Sequence, residues 1–149
     1  MARVSAPLLE RFDLSEWTDE LIESYSHGMR QKLALTAAMI HEPDILVIDE
    51  PMVGLDPRSA RVMKTLLAEI VASGRTVFLS THTLEIAEQL CSRVAIVQKG
   101  LIAALGTLDE LRIQAMTEGS LESVFLRLTE GEPIATEENP LRHPARAPR

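Results

Sequence analysis

Two short aliphatic runs, ILVI (45–48) and TVFL (76–79), flank the amphipathic stretch PRSARVMKTLLAEIVASG, and this arrangement does most to restrict the fold. Continuous apolar runs of this length are the pattern of strands covered on both faces. Between them, Val62, Leu66 and Ile70 recur at helical spacing, Asp56 is placed to cap the helix, Pro57 suits its first turn and Gly74 its end. A strand–helix–strand unit closes by a right-handed crossover into a parallel sheet. The expected class is α/β.

Other segments attach to this unit. Residues 7–23 read as two short helices, the first marked by Leu8, Leu9 and Phe12, the second capped by Ser15 and carrying Trp17, Leu21 and Ile22. SYSHGMRQKLALTAAMIHEP (24–43) opens polar and continues as a helix from about Gly28 to Ile40, apolar all round and expected to be deeply packed, with Pro43 breaking it. A helix, TLEIAEQLC, follows His82, and RVAIVQ and LIAAL form a hairpin about Lys99-Gly100. Thr107 and Ser120 are placed to cap LDELR and LESVFLRL. Residues 130–149 hold four of the eight prolines and almost no core-forming residues, and are expected to be a disordered tail.

Composition narrows the class. With 46% apolar and only 3% aromatic residues, the core must be aliphatic, and 149 residues suffice for one domain. A formal charge of −7 argues against a nucleic-acid partner, which calls for a basic face. The single cysteine, Cys91, rules out an internal disulfide and suits a small buried helical position in a reducing compartment. No signal peptide opens the chain and no apolar run approaches the ~20 residues that span a bilayer.

The chemistry lies at the strand ends. Ligands of parallel α/β sheets bind outside the carboxyl ends of the strands. The first run ends in Asp49-Glu50 and the second in Ser80-Thr81-His82, so neighbouring strands would present both carboxylates and the imidazole to one crevice. If the ligand is a magnesium nucleotide, each group has a task. Asp49 can hold Mg²⁺, a hard cation that keeps several waters. Glu50 can orient or deprotonate an attacking water, and His82 can donate to a terminal phosphate oxygen. Ser26 and Gly28 open a helix whose free N–H groups suit an anion. Taken singly, each acid is also an ordinary turn cap, His82 an ordinary structural histidine and Ser26-Gly28 an ordinary helix start; the combination carries the reading. His27, His41 and His143 lack metal-ligand spacing, which argues against zinc.

In this order the motifs resemble the ATP-binding cassette (ABC) ATPases, the nucleotide-binding subunits of ABC transporters. SYSHGMRQK is similar to the signature stretch, ILVIDE to a Walker B strand, GLDP (54–57) to a D-loop and STH to the switch-histidine motif, and the resemblance runs from about Leu8 to Thr129. The chromosome-maintenance ATPases share some of these motifs, but this chain lacks their sustained heptads. The resemblance implies a partial P-loop-NTPase-like sheet: part of a helical signature subdomain over 1–41, then the Walker B, D-loop and switch-histidine region with its hairpin and helices over 42–129. It implies ATP and Mg²⁺ as ligands, Asp49 on the metal, Glu50 as catalytic base and His82 on the γ-phosphate. It further implies that Ser26, His27, Gly28 and Asp56 serve ATP across a head-to-tail dimer of ATPase subunits. The partner would be a transmembrane permease, with the ATPase on the cytoplasmic side of the membrane.

The departures are specific. His27 stands where the signature has a glycine, and its imidazole would either add a donor toward phosphate or point away. Met52 stands where threonine or serine is common. None of the seven glycines is followed by lysine, so the G-x-x-x-x-G-K-[ST] phosphate loop is missing, as is the Q-loop glutamine. The sequence therefore looks like the later half of an ATPase subunit, and little ATP turnover is expected from the chain alone. Two other readings remain: a non-catalytic half-subunit that supplies its signature to a complete partner, and a truncated product without independent function.

Overall fold

The computed structural model describes residues 2–130. They form two compact units, one ending at Ile86 and the other beginning at Ala87. Residues 131–149, which make up nearly all of the expected disordered tail, lie outside the described residues.

The first unit contains α1 (Ala2–Arg11), two single-turn 3-10 helices (Ser15–Trp17 and Ile22–Ser24), α2 (His27–Met39), β1 (Ile45–Asp49), α3 (Pro57–Ala72) and β2 (Thr76–Ser80). β1 and β2 pair in parallel, from Ile45 opposite Thr76 to Asp49 opposite Ser80, as the strand–helix–strand pattern requires. The local signals act where the sequence places them. Asp56 accepts the N–H groups of Arg58 and Ser59 at the start of α3, and Gly74, at φ +86°, takes the left-handed conformation that ends it. α1 packs on α2 and α3 on β2, around a core that includes Phe12, Leu35, Leu46, Met63, Leu66 and Ile70. Arg11 reaches Glu69 with its two terminal guanidinium nitrogens, at 2.7 and 3.1 Å.

Three expectations are corrected in this unit. The strands are not covered on both faces: Ile45, Val47 and Phe78 remain 65%, 70% and 61% exposed. Among the described residues this sheet has two strands, and burial alternates along both. α2 is not buried all round; it buries Lys32, Leu35, Thr36 and Met39, a single face at helical spacing, and leaves Ala34, Ala37 and Ala38 exposed. The second expected helix is only the two 3-10 turns, with Leu14 rather than Ser15 at the cap position and Leu21 and Ile22 exposed. There the Thr18 and Ser24 hydroxyls donate to the carbonyls of Ser15 and Leu21, closing local turns in place of a continuous helix.

The division between the units falls within α4 (Leu84–Leu90). The second unit continues with β3 (Val94–Gln98), β4 (Leu101–Gly106), α5 (Leu108–Gln114) and α6 (Leu121–Glu130). β3 and β4 are antiparallel, and Lys99 and Gly100 both have positive φ, the conformation a two-residue hairpin turn demands. Thr107 and Glu110 form a reciprocal capping box on α5. Leu111, Leu121 and Val124 are fully buried where α5 meets α6. Cys91 sits just past α4, half-buried, with its thiol pKa pushed up by burial. No helix among the described residues is long and apolar enough to cross a membrane.

Candidate functional site

The parallel register places Asp49 beside Ser80 at the carboxyl end of the sheet, and the Ser80 hydroxyl donates to Asp49 Oδ1. One residue on, Glu50 N–H still bonds to the Ser80 carbonyl at 2.9 Å, but its φ of +47° turns the chain out of the strand. A residue with a Cβ keeps that left-handed conformation only where its surroundings fix it. They do so from both sides. The Glu50 carbonyl accepts from Gln31 Nε2 at 2.6 Å and from Val53 N–H at 3.2 Å.

The Glu50 carboxylate lies against the end of β2. Oε1 accepts from the His82 N–H at 2.7 Å and faces His82 Nδ1 at 2.6 Å, while Oε2 accepts from the Thr81 hydroxyl at 3.0 Å. A carboxylate only accepts, so Nδ1 carries the proton and Nε2 of this exposed ring is left for a ligand. Burial pushes the Glu50 carboxyl up, but the bonds from the His82 ring, the His82 N–H and the Thr81 hydroxyl together bring it below the usual carboxylate range. The group is thus ionised at neutral pH, with acceptor capacity remaining on Oε2 for a water.

Ser26 caps α2, its hydroxyl accepting Met29 N–H at 3.2 Å. The N–H groups of His27 and Gly28 lie in the helix's first turn, where no intrahelical acceptor exists. Gly28 also meets an internal demand. A Cβ at this position would stand 2.7 Å from the Gly54 carbonyl oxygen. His27 packs toward the same loop: a Cβ on Gly54, itself at φ +76°, would lie 2.6 Å from His27 Cδ2. Gly28→Ala is expected to destabilise the first unit by about 1–3 kcal/mol, because the clash is with backbone rather than a flexible side chain. Urea unfolding would measure it; a loss near zero would mean the loop yields freely.

Asp56 is occupied within the chain. Besides its two capping bonds, Oδ2 accepts the Ser59 hydroxyl at 2.6 Å. The Ser59 hydroxyl and N–H bonds are the main reason its carboxyl is pulled from 3.8 to about 2. A depressed carboxyl stabilises the fold above its unfolded value and loses that contribution as pH falls through its folded value. The stability difference between the wild-type chain and Asp56→Asn, read from urea midpoints, is therefore expected to be full above about pH 4 and to shrink toward pH 2. A difference that does not change with pH over that range would contradict the assignment.

Asp49, Glu50 and His82 thus meet at one sheet end, whereas Ser26, His27, Gly28 and Asp56 surround the neighbouring loop. Sequence reasoning missed Gln31, Lys32, Ser59 and Thr81. Gln31 and Lys32 lie within SYSHGMRQK and Thr81 within STH, but their partners Glu50 and Ser59 are 19 to 31 residues away, so no local pattern assigns them a role; Ser59 joins Lys32 to Asp56. The Asp49 carboxylate and Ser80 hydroxyl are hard oxygen donors at an open strand end and suit a divalent cation that keeps most of its waters. For a triphosphate the fit is partial, because no phosphate loop exists anywhere in the sequence.

A parallel α/β unit with an acid pair and a Ser-Thr-His segment at adjoining strand ends has the form of a nucleotide-binding domain. The family profile described as "AAA domain, putative AbiEii toxin, Type IV TA system" matches residues 16–88. The chain is 44% identical over 120 residues to the daunorubicin resistance ATP-binding protein DrrA3 of Streptomyces coeruleorubidus, covering 80% of this chain and 37% of that protein. To the daunorubicin/doxorubicin resistance ATP-binding protein DrrA of Streptomyces peucetius it is 40% identical, over 83% of this chain and 36% of the relative. A solved structure described as the ATP binding subunit of an ABC transporter superposes with a TM-score of 0.81 at 36% identity, over 85% of this chain and 53% of that one. The homologues of the chain are thus ATP-binding proteins of ABC transporters, matched over most of its own length. It spans less than half the length of these curated relatives.

Proposed function

We propose that this chain supplies the Walker B, D-loop, switch-histidine and signature parts of an ATP-hydrolysing subunit of an ABC transporter. The observation that carries this reading is the Glu50–His82 pair, formed where two adjacent parallel strands end and standing beside Asp49. Mg²⁺, when bound, would neutralise phosphate charge, and Asp49 and Ser80 are the oxygen donors placed for it. Glu50 is the base: ionised, braced by Thr81 and His82, it accepts a hydrogen bond from the attacking water and orients it. His82, its Nδ1–H committed to Glu50, can donate from Nε2 to the terminal phosphate in the imidazolium form, in which both ring nitrogens carry protons. Ser26, His27 and Gly28 supply N–H groups for an ATP held by a second subunit. Asp56 caps α3 and braces the loop facing that subunit.

The cytoplasmic partner arrangement follows from the same reading: a head-to-tail pair of ATPase subunits acting on a transmembrane permease, which selects the cargo. The relatives described as resistance proteins make an export role the first to examine.

Without a phosphate loop, the chain lacks several charge-assisted hydrogen bonds to the triphosphate, each worth roughly 1.5–3 kcal/mol. Even two or three such losses weaken nucleotide binding by orders of magnitude. Phosphate release from Mg-ATP by the purified chain is therefore expected at background level. Turnover should appear when a separately expressed phosphate-loop segment of a relative is added, and should require Mg²⁺. Robust turnover by the chain alone, or none in the mixture despite complex formation, would refute the reading. A complex that binds ATP through Ser26 and Gly28 but never hydrolyses it would instead identify a non-catalytic half-subunit.

A further inference from the structure

The loop between β1 and α3 begins at Glu50, ends at Asp56, and is gripped along its length by one helix. At the start, Gln31 Nε2 donates to the Glu50 carbonyl at 2.6 Å. In the middle, Gly28 lies against the Gly54 carbonyl. At the end, buried Lys32 donates from Nζ to Ser59 Oγ at 3.2 Å, and the Ser59 hydroxyl donates to Asp56 Oδ2 at 2.6 Å.

The chemistry gives these contacts direction. The Glu50 carbonyl only accepts, so the Gln31 amide is oriented with its nitrogen toward it. The other end of that amide, Oε1, is buried with no partner among the described residues, so the contact to Glu50 is the one that fixes the side chain. An ammonium only donates, so Ser59 must accept from Lys32 and send its own proton elsewhere; Asp56 receives it. Burying a lysine requires partners for its donors, and the Phe12 carbonyl at 3.0 Å and Ser59 Oγ take two of the three. The ammonium is therefore held in place, and the Ser59 hydroxyl with it.

We propose that Gln31 and Lys32 are positioning residues: successive side chains of α2 that hold the two ends of the Glu50–Asp56 loop, so that α2 sets the placement of both carboxylates. A shift of α2 when its N-terminus meets an anion would pass through these contacts to Glu50 and Asp56 together. This rests on the proposed function only in giving those carboxylates a task at the nucleotide.

The test uses the isotopically labelled full chain without nucleotide, so its failure is distinct from failure of the ATPase reading. Gln31→Met keeps the side-chain length and removes the hydrogen bond. It should speed amide exchange at Val53, which shares the Glu50 carbonyl, about tenfold or more, while Ala60 at the start of α3 keeps its protection. Lys32→Met should raise the Asp56 carboxyl midpoint above about 2, by less than Ser59→Ala does, because the Ser59 bonds are the main cause of the depression, and Lys32→Arg should restore part of the shift. Ser59→Ala removes the bond to Asp56 directly and sets the upper limit of that shift; if Lys32→Met does not fold, Lys32→Leu carries the expectation in its place. Leu35→Ala, on the buried face of α2, should accelerate exchange evenly across the unit and so gauges general loosening. The proposal is overturned if Gln31→Met matches that even pattern or leaves Val53 unchanged, or if the folded Lys32 variant leaves the Asp56 midpoint unmoved.

Discussion

Glu50→Gln is expected to lower Mg-ATP turnover, in the site completed by a phosphate-loop segment, by about 10²–10⁴-fold. The substitution keeps the length and shape of the side chain and removes the charge that accepts a proton. Both His82 contacts fall on Oε1, so the Gln carbonyl oxygen can accept them while its amide nitrogen donates to the Thr81 hydroxyl; the geometry is kept and only the proton-accepting charge is lost. ATP affinity should change far less than turnover, because in this reading Glu50 faces the water and not the phosphates. Single-turnover phosphate release alongside equilibrium nucleotide binding separates the two. An affinity lost in step with the rate would reassign Glu50 to binding; an unchanged rate would remove it as base.

Phe12→Ala is expected to cost about 3–5 kcal/mol in the first unit, a large share of the 5–15 kcal/mol that stabilises a typical domain. Phe12 is 1% exposed, and its carbonyl accepts from the buried Lys32 ammonium. Removing the ring leaves a cavity and loosens the acceptor that keeps a buried charge satisfied, so two costs add. Equilibrium urea unfolding, followed by far-UV circular dichroism, would show it as a lowered midpoint at unchanged slope. A loss below about 1 kcal/mol would mean that neighbouring side chains collapse into the space.

What could be read from the sequence has a common character. Asp56 capping α3, Gly74 ending it, Thr107 with Glu110 on α5 and the Lys99-Gly100 turn all depend on residues within a few positions of one another. The strand pair was legible because its crossover helix leaves the parallel arrangement as the default. The acid pair and Ser-Thr-His were legible because each terminates a strand, and parallel pairing brings strand ends together. The errors have a common character too. Expected burial on both faces of β1 and β2, and all round α2, was inferred from hydrophobicity, which states a tendency to be covered and not what is available to cover it.

By itself, then, the sequence determined the element order from α2 onward, the caps of α2, α3 and α5, the hairpin turn, the parallel pair and the residues that meet at its end. Short-range hydrogen bonding and periodicity act within a few residues and do not need the rest of the chain. Only the tertiary structure decided that His27 turns to Gly54, that Gln31 holds the Glu50 carbonyl 19 residues away, and that Lys32 reaches Ser59 across 27. Those contacts exist because α2 packs beside the β1–α3 loop. No local pattern encodes which side chain of a helix will face which loop; that is fixed when their surfaces are buried together.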